Sequence, residues 1–140
     1  MSGKEAGIKL MTLEQANALL PDVQKALKSL RGLRDRILKI QAQVEIEELT
    51  GANSKGQLSP QAQAALTSLM ESLQAQSRQF EKELEKLSDS GALLKDLDSG
   101  LIDFYTRRGP EVVFLCWKEG ESEITHWHSL EGGFRNRKAL

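Results

Sequence analysis

Two histidines two residues apart, His126 and His128, and a single cysteine, Cys116, are the side chains with the most distinctive chemistry in this 140-residue chain. They fall in one stretch, Phe114 to His128, which also holds both tryptophans, Trp117 and Trp127. Six of the seven aromatic residues lie between Phe104 and Phe134, and only Phe80 lies outside. On a strand, residues i and i+2 point to the same side about 6.5 to 7 Å apart. Two imidazoles so placed suit one divalent metal ion, with Asp103 or Glu121 completing a His–His–acid set. A histidine and an acid could equally act as base and orienter. The plainer reading is that His126 is a half-buried sheet residue and His128 caps a turn.

Other residues carry similar pairs of readings. Cys116 sits between Leu115 and Trp117 in an apolar run, as a small buried hydrophobe would, and has no basic neighbour in sequence to activate it. Asp96 and Asp98 flank Ser99-Gly100 and read first as turn formers, although with Asp103 they could bind a cation. Trp117 and Trp127 read as core residues before stacking platforms. Arg107, Arg108, Arg135 and Arg137 form an anion-binding rim only if their two loops converge. The chain has no glycine-rich phosphate loop, nucleophile elbow or Cys-x-x-Cys.

Strand register decides which of these residues meet. With an even-numbered loop after Trp117, Trp117 faces Ile124, Leu115 faces His126 and Val113 faces His128. If Asp103 also pairs with Val113, one face carries Asp103, Trp117, His126 and His128, while Cys116 joins Phe114 and Trp127 on the other. An odd-numbered loop brings Cys116 to the histidines instead.

What precedes this region reads as a helical mount. Thr12-Leu13-Glu14-Gln15 fits a capping box. A short helix from Thr12 is expected to end or kink at Pro21, which cannot donate the interior hydrogen bond. Val23, Leu27, Leu30, Leu33, Ile37, Ile40 and Val44 then form one helical stripe to about Leu49. Thr50 to Gly56 is turn chemistry, and Ser59-Pro60 opens a second helix as N-cap and first helical residue. Its stripe is Ala62, Leu66, Leu69, Leu73, Gln76, Phe80, Leu84 and Leu87, with Gly91 as the stop. Two helices about 45 Å long joined by a short loop should pack antiparallel. The turn near residue 55 places Lys25, Lys28, Arg31 and Arg34 beside Glu81, Glu83 and Glu85. After Gly91 the period shortens to two. Leu93 to Leu97, Leu101 to Tyr105, Val112 to Trp117 and Glu123 to His128 read as strands, with Arg107 to Pro110 a turn and a polar tail after Gly132-Gly133.

The length suits one domain over residues 1–140, with 12–90 the hairpin and 92–140 the sheet and tail. Nineteen basic and twenty acidic residues leave a net charge of −1, so no global field draws the chain to nucleic acid or a membrane. Residues 1–11 lack the apolar run of a signal peptide and are expected to start loosely. No window has the roughly 18 apolar residues of a membrane helix. One cysteine suits a reducing cytoplasm.

Thr12 to Pro21, Leu94-Lys95-Asp96, Gly100 to Phe104, Leu115-Cys116-Trp117 with Gly120-Glu121, and Trp127-His128 with Gly133-Phe134 resemble the prokaryotic family catalogued as domain of unknown function 2203. The resemblance covers nearly the whole chain and implies a small bacterial cytoplasmic protein, with no activity or cofactor to carry over. It marks Asp96, Asp103, Cys116, Trp117, Glu121, Trp127, His128 and Arg137 as family-type positions. His126, Tyr105 and Asn136 depart from the pattern, which favours His128 with acids over a pair of histidines.

The expected architecture is thus α+β, a long coiled-coil-like antiparallel helical hairpin followed by an antiparallel sheet of three or four strands. The expected function is that of a non-enzymatic binding or assembly protein, dimerising through the hairpin because its stripes exceed what a small sheet can cover. The alternative is a metal-dependent or acid/base enzyme around Asp103, Glu121 and His128.

Overall fold

A computed structural model describes residues 8–140; the first seven residues, where the chain is expected to start loosely, lie outside them. Two long helices, α1 (Leu13–Thr50) and α2 (Pro60–Asp89), precede the strands β1 (Leu93–Asp96), β2 (Leu101–Arg108), β3 (Glu111–Lys118), β4 (His126–His128) and β5 (Lys138–Ala139). The class is α+β, as the change of period implied. The sheet has five antiparallel strands in the order β1-β2-β3-β4-β5, one more than the upper expectation. The extra strand is two residues of tail returning to β4, too short and polar to show periodicity.

The helix ends follow local chemistry. Thr12 Oγ1 accepts the Gln15 N–H at 3.1 Å and Gln15 Oε1 accepts the Thr12 N–H at 3.0 Å, a complete capping box. The Ser59 hydroxyl accepts the Ala62 N–H at 3.0 Å and caps α2, with Pro60 as its first residue. At the other end of α2, Gly91 has φ +107° and lies against Met11, so a side chain there would be both strained and obstructed. The helix does not end or restart at Pro21, and α1 runs through it. Ala16, Leu20, Val23 and Leu27 are all buried at steps of four, three and four. Only an uninterrupted helical phase keeps all four on one face, and their burial offsets the hydrogen bond that Pro21 forgoes.

The chain divides into two compact units, one of them taking in the chain up to Ser29 together with Glu83–Leu140, the other Leu30–Lys82. In the first, the Ser29 hydroxyl reaches both Glu83 carboxylate oxygens at 2.7 and 2.8 Å. In the second, Arg36 Nε donates to Gln76 Oε1 at 3.2 Å. Both pairs sum to 112, so each is antiparallel and close to the expected register. Glu83 thus meets a hydroxyl of α1, and Arg34 pairs with its neighbour Asp35 at 3.3 Å. In the second unit Leu30, Leu33 and Ala62 are buried, but Ile37, Ile40, Val44, Leu66, Leu69 and Leu73 are only half-buried.

The sheet sets the site through its register. β2 and β3 run to Arg108 and Glu111, so Arg107 and Arg108 are strand residues and the turn is Gly109-Pro110 alone. Gly109 has φ +60° and proline holds φ near −65°, the signs of a type II′ hairpin turn. This turn pairs Asp103 with Cys116 rather than Val113. β4 pairs Phe114 with His128 and Cys116 with His126, the register of an odd-numbered loop. Asp103, Tyr105, Phe114, Cys116, His126 and His128 therefore share one face. Ile102, Phe104, Val113, Leu115, Trp117 and Trp127 share the other, and Trp117 leaves the histidines.

β4 is shorter than the expected Glu123–His128 because the Ile124 N–H leaves the ladder for the Asn17 side chain of α1, at 2.8 Å. Replacing Asn17 by Ala strands that part-buried donor and should destabilise the protein by about 1 to 3 kcal/mol in urea unfolding. Asn17→Asp keeps the acceptor and should lose less.

Candidate functional site

Among the described residues, one group of three potential ligands converges: Asp103, Cys116 and His128, whose ligand atoms all lie within 4.8 Å of one another. Each comes from a different strand, β2, β3 and β4, and all three are buried. Asp103 is 3% exposed and His128 2%, so neither can rely on solvent. His128 Nε2 lies 3.0 Å from Asp103 Oδ2, and its Nδ1 lies 2.7 Å from the Ser129 carbonyl oxygen. No hydrogen bond reaches the other Asp103 oxygen, Oδ1.

The segment after β4 brings Arg137 to this face. Its guanidinium makes a two-pronged contact with Glu121, at 2.8 and 3.2 Å, and stacks on Phe134 at 4.3 Å. Glu121 Oε1 also accepts the Lys118 N–H at 2.8 Å. Burial works against the charged form of Glu121, but the Arg137 and Lys118 hydrogen bonds outweigh it and hold the carboxyl below its ordinary value. The Glu121 hydrogen bond in turn raises Arg137. Cys116 lies within reach of both Asp103 and Arg137. Burial chiefly, and the Asp103 charge next, push its thiol up to about 12, against the opposing pull of Arg137.

The expected site residues thus separate. Asp103 and His128 meet. Glu121 is engaged by Arg137, outside the trio. His126, although paired with Cys116 across the ladder, places Nδ1 2.9 Å from the exposed Thr125 hydroxyl. Asp96 accepts the Ser99 N–H at 2.9 Å and its hydroxyl, which hold its carboxyl low, so it is a turn former as its sequence context implied. Trp117 is a core residue whose indole N–H donates to the Glu121 carbonyl at 2.9 Å. Trp127 is half-buried, with Arg108 4.4 Å and Lys138 5.4 Å from its ring, and lines a groove of about 490 Å³ with Met11, Val113 and Leu115. Sequence spacing contained no sign of the Asn17 contact or of the approach of Arg137 to Cys116.

The arrangement can hold a proton between Asp103 and His128 or coordinate a soft or borderline cation. It does not suit a thiol nucleophile, because the thiolate form of Cys116 is suppressed. The family described as an uncharacterized conserved protein, DUF2203, matches residues 9–140. The chain belongs to this family. No curated protein and no solved structure matches the chain significantly. Among the described residues, no helix of this DUF2203 chain is long and apolar enough to cross a membrane.

Two outcomes follow from these ionisations. Cys116 should resist a thiol reagent in the native protein at pH 8 and react fully in denaturant. Its folded value lies above its ordinary 9.0, so its contribution to stability is present below pH 9 and lost as the pH rises towards 12. The stability difference between the wild type and Cys116→Ala should shrink over that range. Glu121 behaves oppositely. Its contribution is present above its ordinary 4.5 and lost as the pH falls below that value. Glu121→Gln should accordingly destabilise at pH 7 and differ little from the wild type in acid, by denaturant titration at each pH.

Proposed function

We propose that this DUF2203 protein is a non-enzymatic binding and assembly protein that pairs with a second copy through its helical hairpin. The observation that carries this reading is an exposed apolar line on α1 within the Leu30–Lys82 unit. Leu38 is 55% exposed, Ile46 57% and Leu49 75%, and they fall within one side of the helix, centred near Ala42. Each would gain about 1 to 2 kcal/mol on being covered, given about 1.5 to 3 for full burial. The sum over two copies is comparable with the roughly 4 to 15 kcal/mol that association costs, so the apolar line alone supports only a weak dimer and charge complementarity has to supply the rest.

Charge supports an antiparallel pairing with a second copy. Residues 30–40 of α1 carry Arg31, Arg34, Arg36 and Lys39 against Asp35 alone, whereas residues 41–50 carry Glu45, Glu47 and Glu48 with no base. Laying two such helices side by side in opposite directions brings the basic half of each along the acidic half of the other. A parallel pairing would oppose like charges. The lone cysteine suits a reducing compartment, and we place the protein in the cytoplasm on that ground. The enzyme reading around Asp103, Glu121 and His128 draws less support, because Glu121 is committed to Arg137 and the other two are 3% and 2% exposed.

Light scattering at increasing concentration should rise from 15.6 kDa towards twice that mass, and a constant single-chain mass up to millimolar concentration would overturn the proposal. Glu45→Lys with Glu48→Lys should weaken the dimer about 10-fold or more, as should Arg36→Glu with Lys39→Glu. Mixing the two double variants should restore pairing, because a mainly basic helix then meets a mainly acidic one.

A further inference from the structure

The three donors beneath the C-terminal segment are oriented so that what they lack can be stated. The Ser129 carbonyl oxygen only accepts hydrogen bonds, so the His128 Nδ1 beside it, at 2.7 Å, carries the hydrogen. In the neutral imidazole Nε2 then presents a lone pair, 3.0 Å from Asp103 Oδ2. A lone pair facing a carboxylate oxygen requires positive charge between them, either a proton or a metal ion. The second carboxylate oxygen, Oδ1, is buried without a hydrogen-bond partner. Cys116 Sγ completes the group, all three ligand atoms lying within 4.8 Å of one another.

We propose that Asp103, Cys116 and His128 bind one transition-metal ion of the zinc class. The donor set selects the class. One sulfur, one imidazole nitrogen and one carboxylate oxygen suit a borderline-soft divalent ion, whereas calcium and magnesium favour oxygen alone. Size agrees as well. Ligands at about 2.0 to 2.3 Å from a tetrahedral zinc stand about 3.3 to 3.6 Å apart, which the 3.0 Å His128–Asp103 contact would reach by opening slightly and atoms up to 4.8 Å apart by drawing in. Charge agrees too, since a divalent ion with one carboxylate and one thiolate is neutral overall, as a buried centre should be. The Ser129 carbonyl fixes the imidazole tautomer in the way that supporting groups do around metal-bound histidines. On binding, the S–H bond of Cys116 breaks, the sulfur bonds to the metal, and the thiol proton leaves to solvent. Any proton held between Asp103 and His128 leaves with it. Arg137 beside the sulfur favours the thiolate, and Glu121 balances its charge. The site keeps Asp103 and His128 from the expected His–His–acid set, takes Cys116 in place of His126 and Glu121, and is independent of dimerisation through α1.

The test uses the full chain prepared without an affinity tag, stripped with a chelator and titrated with cobalt(II). The expected result is one equivalent bound, with a thiolate-to-cobalt charge-transfer band in the near ultraviolet that zinc abolishes by displacement. His126→Gln should leave the band and the affinity unchanged. Asp103→Asn and His128→Gln should weaken binding by more than about 100-fold, beyond what loss of a supporting group alone produces. Cys116→Ser should lose the band. Wild-type protein refolded with cobalt(II) that shows no such band would overturn the proposal, whether or not the variants fold. So would wild-type affinity in Cys116→Ser or His128→Gln.

Discussion

A carboxylate buried inside a small sheet has to be compensated where it stands, and much of the C-terminal architecture can be understood as the means of compensating Asp103. Left alone in an apolar interior, its charge would cost several kcal/mol or force it to take up a proton. The compensation comes from His128, two strands away across β3. That contact exists only if β2, β3 and β4 hold one register. A slip by one residue on either side of β3 would put Asp103 and His128 on opposite faces, and a slip of β2 would set the carboxylate against the Val113, Leu115 and Trp117 face of β3. The polar pair thus penalises wrong pairings more severely than apolar packing alone would, because β3 is apolar on both faces and would accept either. The Gly109-Pro110 turn fixes one side of this register. The loop after Lys118, which ends where Asn17 takes the Ile124 N–H, fixes the other.

This division between turn geometry and side-chain chemistry explains how far the sequence could be read. The helices were legible because their signals are local: the Thr12–Gln15 box, Ser59-Pro60, and stripes at three and four. Pro21 misled for the same reason. As a local signal it marks an interruption, and only the burial of Ala16, Leu20, Val23 and Leu27 on one face outweighs it. The strands were legible by their period of two, but their register was not. Loop parity after Trp117 depends on where the ladder stops, and that depends on Asn17, 107 residues away from Ile124 in sequence. Both alternatives could therefore be written down, and only tertiary contact selects Cys116 as the companion of Asp103 and His128. His128 and Asp103 were recognisable as candidates by type. The separation of Glu121 and His126 from them was not.

The C-terminal segment completes the argument from charge. Arg137 acts on the same thiol as Asp103, and an unengaged guanidinium there would be an obvious counter-ion for the carboxylate. Instead it is fixed in two prongs on Glu121 and lies over the Phe134 ring, so its charge is already balanced and its orientation set. Asp103 Oδ1 correspondingly remains without a hydrogen bond although a cationic side chain lies on the same face. Had the fold required only neutralisation of Asp103, a cation so close could have supplied it. Holding Arg137 on Glu121 keeps it beside the sulfur, where it favours a thiolate, and leaves an oxygen, a nitrogen and a sulfur converging on a shared space. That arrangement is poorly explained as a core that merely tolerates a buried acid, and it is what the proposed coordination site would require of the groups around its three donors.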